Sequence, residues 1–138
     1  MKSSKFKIHE LVPLRLFNTI HEDVLWEMID DNLIETIDYL KEKFPEGSMT
    51  INNYIWNGDR GWSGLRTKDS SYYSPTSQHS LGKAVDIIFS AYTTDEVRKY
   101  ILDNPEEFPH IGGIELVVSW LHLDVRKRVQ GKIKTFYA

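Results

Sequence analysis

The chain has 138 residues, 41% hydrophobic and 27% charged, which is enough for one compact domain with its own core and short for two. A net charge of −3 gives no general electrostatic reason to bind nucleic acid or an anionic membrane, and the basic run "RKRVQGKIK" reads as solvated surface. There is no cysteine, so disulfides and thiolate metal sites are excluded and any metal must be held by His, Asp or Glu.

In chain order, "MKSSKFKIHELVPLRLF" starts with lysines but lacks the uninterrupted apolar core of a signal peptide, and no run approaches the ~18 apolar residues of a membrane span. The expectation is a monomer, one domain over residues 1–138, made in the cytoplasm and not inserted in a membrane. From Glu22 to Phe44, apolar residues at Trp26, Ile29, Leu33, Ile37, Leu40 and Phe44 step by threes and fours, one face of an amphipathic helix that "FPEG" stops. "MTINNYIW" (Met49 to Trp56) alternates and predicts a strand. Asn57 to Ser80 is too long for a mere connection, and long ordered loops in compact domains tend to be functional.

"KAVDIIF" predicts a largely buried strand. "TTDEVRKYILDNPEEF" predicts a helix that Thr93 and Glu96 cap and Asn104-Pro105 ends. "GIELVV", "WLHLDVR" and "KIKTFY" follow as short strands. Helices and strands do not alternate strictly, so the expected fold is α+β, with helices flanking a small antiparallel sheet.

Two histidines stand beside strands that also carry acids. In "WLHLDVR", alternation puts Leu121, Leu123 and Val125 on one face and His122, Asp124 and Arg126 on the other. Asp86 interrupts the apolar run of "KAVDIIF", where a carboxylate is costly unless paired or bound to a cation. A metal resolves that cost, and two imidazoles with one carboxylate and an open fourth position make a catalytic zinc set. Glu115, just ahead of the His122 strand, could reach over the metal on a short hairpin and take a proton from an activated water. Arg66 could hold a substrate carboxylate or a developing oxyanion. His9, His21 and His110 have no such surroundings and read as structural or surface residues. Trp56, Trp62, Tyr72 and Tyr73 either line a groove or pack on the core.

Ser77-Gln78-His79, Gly82-Lys83-Ala84-Val85-Asp86 and Trp120-Leu121-His122-Leu123-Asp124 together resemble the S-x-H, G-x-A-x-D and W-x-H-x-D pattern of the M15 zinc peptidases. That family comprises D-Ala-D-Ala carboxypeptidases and phage endolysins, and the resemblance runs from about Met49 to Arg126. It implies a hedgehog/DD-peptidase-like fold, Zn2+ held by His79, Asp86 and His122, and hydrolysis of D-amino-acid-containing peptides of peptidoglycan. It also implies a phage-derived protein acting on the cell wall. Ser77 and Asp124 would then support the ligands or the substrate. The chain departs from better-known members at Ser119, where they carry a catalytic glutamate three residues before the last histidine. Two other functions stay open: a zinc-binding module of this fold without turnover, and a glycosidase using Glu115 and Asp124 as paired carboxylates.

Overall fold

The structure is a computed structural model and describes residues 1–137. Among the described residues, four α-helices, α1 (Leu14–Thr19), α2 (Glu22–Glu27), α3 (Asp31–Lys43) and α4 (Thr94–Asp103), accompany five strands. These are β1 (Met49–Thr50), β2 (Ala84–Phe89), β3 (Gly113–Glu115), β4 (Leu121–Asp124) and β5 (Lys134–Phe136), in the sheet order β1-β2-β4-β3-β5. The fold is α+β, as composition and pattern predict. The sheet is mixed, however: β1–β2, β2–β4 and β4–β3 are antiparallel, whereas β3–β5 is parallel. The chain from β4 runs out through a turn at Gln130 and Gly131, both with positive φ, and comes back alongside β3 rather than against it.

The long helix expected from Glu22 to Phe44 is two helices. Asp30 has extended backbone and its carboxylate accepts from the Asn32 N–H at 2.8 Å, which starts a new helix and satisfies one of its unpaired donors. The apolar steps survive the break, because Trp26, Ile29, Leu33, Ile37 and Leu40 are all buried in one core cluster. Likewise the expected strand from Met49 to Trp56 pairs only at Met49–Thr50. The buried Asn52 turns the chain away, donating to the Val12 carbonyl at 3.1 Å and accepting from the Ser63 N–H at 2.9 Å. The predicted cap on α4 is present: the Thr93 hydroxyl accepts from the Glu96 N–H at 3.1 Å.

Strand alternation divides the sheet into two faces. Val85, Ile87, Ile114, Leu121 and Leu123 are fully buried and join the core with α3 and α4. The opposite face carries Asp86, His122, Asp124 and Glu115. Over that face lies the segment from Asn57 to Ser80, tied to itself at its neck. The Arg66 N–H donates to the His79 carbonyl at 3.2 Å, and the His79 ring to the Gly64 carbonyl at 2.8 Å. Gly82 then turns the chain into β2 with φ of 71°, where a Cβ would lie 2.1 Å from the Met28 carbonyl oxygen. Among the described residues, no helix is long and apolar enough to cross a membrane.

Candidate metal centre

Asp86 is paired with His122 in the β2–β4 register, and its backbone N–H donates to the Ser63 carbonyl at 2.8 Å. Its Oδ1 lies 2.9 Å from His122 Nδ1 and 3.3 Å from His79 Nε2. Donor atoms of His79, Asp86 and His122 all lie within 4.8 Å of one another, and all three residues are buried. A tetrahedral ion with bonds of ~2.0–2.1 Å keeps its ligand atoms roughly 3.3–3.4 Å apart, so small shifts of these side chains would admit one. The group could therefore hold a metal ion.

The far edge of each of the three side chains is already engaged. A carbonyl can only accept, so His79 donates through Nδ1 to Gly64 and turns Nε2 towards Asp86. His122 Nε2 lies 3.0 Å from Asp124 Oδ2. Asp124 is fully buried and receives two bonds from the Arg126 guanidinium, at 2.7 and 2.6 Å. Asp86 Oδ2 accepts from Arg66 Nη2 at 3.1 Å. Room for the Asp124 carboxylate exists because its cross-strand partner is Gly113, where a Cβ would lie 2.5 Å from Asp124 Oδ1.

Charge follows this geometry. Burial disfavours the Asp86 anion, but hydrogen bonds from His122 and His79 outweigh it and hold the carboxyl well below its usual range. Burial also opposes charge on His122, yet its bonds to Asp124 and Asp86 raise it to about 9. Asp124 is lowered to about 2, its bonds from His122 and Arg126 again outweighing burial.

Measured against known proteins, the chain matches no protein-family model, no curated protein and no solved structure.

A cavity of about 540 Å³ opens on His79, Asp86 and His122, and Glu115, Arg66 and Ser77 share its wall. Glu115 ends β3, which forms an antiparallel hairpin with β4. The β3–β4 register continues from Ile114 and Leu123 to set it beside His122 on the same face. Ser119 stays outside, exposed, in the β3–β4 loop that α4 grips through Thr94 to the Ser119 carbonyl and Arg98 to those of Val118 and Trp120. Ser77 is a turn residue whose hydroxyl accepts from the His79 N–H at 3.2 Å.

Trp62 and Tyr72 line the cavity, whereas Trp56 packs edge-on against His9. The three remaining histidines have structural surroundings: His9 lies against Phe17 and Trp56, His21 caps α2, and His110 pairs with Glu35. Sequence reasoning missed Phe136, which lines the cavity edge-on to His122 with the Arg126 guanidinium 4.8 Å from its ring centre. Only its place in a strand candidate pointed there.

Proposed function

We propose that this protein is a zinc-dependent peptidase of the cell wall, hydrolysing D-amino-acid-containing cross-link peptides of peptidoglycan. The observation that carries the reading is that His79, Asp86 and His122 converge in the wall of a cavity that also holds an acid, Glu115, and a guanidinium, Arg66. The spacing of the S-x-H, G-x-A-x-D and W-x-H-x-D segments supports the same reading. On it the fold is the finer hedgehog/DD-peptidase-like variety of α+β, and the chain is a phage-derived M15-type protein.

The donor set suits zinc, with nitrogen and oxygen ligands and no thiolate. When bound, zinc would polarise the scissile carbonyl and make water acidic enough to attack at neutral pH. The remaining chemistry belongs to the chain. Glu115 holds its carboxylate at the cavity wall beside His122, where it accepts the proton of the attacking water and returns it to the leaving amine. Arg66, fixed by Asp86 and by the Trp62 carbonyl at 2.8 Å, lies in the cavity wall, where its guanidinium would stabilise the developing oxyanion. Asp124 and Arg126 hold His122 in orientation.

The test is release of new amine from purified wall peptides by zinc-loaded protein across about pH 6–9, the span over which a general base of this kind operates. Glu115→Gln should retain one zinc per chain and lose at least about 100-fold in rate. A zinc-loaded wild type that releases nothing sinks the peptidase reading. It would leave a metal-binding module of the same architecture.

A further inference from the structure

Five of the 17 cations and none of the 20 acids lie after Asp124. Two of the five have internal partners: Arg126 is held by Asp124, and Arg128 by the carbonyls of Ile111, Pro105 and Phe108. Lys127, Lys132 and Lys134 are exposed, and none has an ion-pair partner among the described residues. The parallel register of β5 decides what Lys134 can reach. Gly113 pairs with Lys134 and Glu115 with Phe136, so Lys134 and Phe136 share the face that carries Glu115, His122 and Asp86. Lys134 therefore sits one strand repeat, roughly 6.6 Å, along β5 from the cavity-lining Phe136. Lys132 precedes it at the turn. The outer edge of β5 is unpaired, because β5 ends the sheet.

We propose that Lys132 and Lys134 form a docking strip for the substrate's carboxylates, so that the site selects acidic peptides laid along β5 with the scissile bond over the metal ligands. The substrate class rests on the peptidase reading, while the strip itself does not. The physical basis is charge complementarity beside a cleft, with Lys134 on the same sheet face as the cavity-lining Phe136. Lysines on an edge strand also guard against edge-to-edge pairing, and that alternative makes a different prediction.

The probes are two dye-labelled wall peptides, identical except that the side-chain carboxylates are free in one and amidated in the other. Binding to the metal-free protein is read by fluorescence anisotropy, and cleavage by the zinc-loaded protein as amine release. The free-acid peptide should be preferred, and the preference should shrink as salt rises from about 0.05 to about 0.5 M. Lys132→Gln with Lys134→Gln should lower the preference by about 2- to 5-fold per lysine and leave the melting temperature unchanged.

A wild type indifferent to amidation overturns the strip. So does a double variant with unchanged preference, including one that merely aggregates. If the zinc-loaded protein cleaves neither peptide while the metal-free chain still prefers the free acid through these lysines, the peptidase reading falls and the docking strip stands.

Discussion

Gly113→Ala is the substitution that most sharply tests the support of His122. The added methyl would lie 2.5 and 2.6 Å from the two Asp124 oxygens and 2.7 Å from Arg126 Nε, all inside the closest approach that real Cβ atoms show, 3.0 Å. The carboxylate must then retreat by at least 0.5 Å, the difference between 3.0 and 2.5 Å. It has no slack, because Asp124 is fully buried and held by His122 and by both arms of Arg126. Overpacking of this kind costs roughly 1–3 kcal/mol of stability, and displacing a group that orients a metal-binding histidine costs about 10–100-fold in metal affinity. The assay is a zinc titration against a competing chelator, beside a thermal melt.

Ile114→Val is the control. It trims a fully buried side chain on the other face of the same strand, for a stability loss of about 0.5–1.5 kcal/mol and no change in metal affinity. A folded Gly113→Ala protein that binds zinc as tightly as the wild type would refute the reasoning.

Because His122 stays protonated up to about 9 in the metal-free protein, zinc must displace a proton, and apparent affinity should fall about tenfold per unit as pH drops below that value. Titration calorimetry in buffers of different ionisation enthalpy reads the released proton directly. In metal-free protein the raised His122 pKa contributes stability that is complete below its ordinary value of 6.5 and lost as pH rises through about 9; the lowered Asp86 pKa contributes stability present above 3.8 and lost as pH falls below it. Urea melts with chelator present should trace both limbs. Arg66→Met removes the partner of Asp86 Oδ2 and should weaken zinc binding about tenfold, with amine release falling further; unchanged affinity would count against the assignment. Asn52→Leu leaves the Ser63 N–H and the Val12 carbonyl without this partner and should cost about 2–3 kcal/mol in a denaturant melt.

Local pattern was legible where one face of an element meets the core. The alternation of "WLHLDVR" separated Leu121 and Leu123 from His122 and Asp124 because the sheet is buried on both faces for different reasons, apolar packing on one and a polar cluster on the other. The helical steps of Trp26, Ile29, Leu33 and Ile37 were legible too, although they run straight across the break at Asp30, since a core stripe does not record where hydrogen bonding restarts. Shortening of the first strand depends on Asn52 reaching Val12 and Ser63, contacts distant in sequence. The parallel return of β5 is equally non-local, and it is what brings Phe136 and Lys134 to the site face. Glu115 was found as a residue, but the register that delivers it was not.

The neck formed by Gly64, Arg66 and His79 has an evolutionary consequence. Residues 67–78 leave and rejoin the body at points bonded to each other, so their length and composition can change while His79 keeps its carbonyl partner. Doubling such a loop costs only about 0.6 kcal/mol in closure entropy. Tyr72 and Ser77, both on the cavity wall, ride on this detachable lobe, whereas Asp86 and His122 are locked in the sheet. The lobe can be exchanged, and with it part of the cavity wall, without rebuilding the buried Asp86 and His122 beneath.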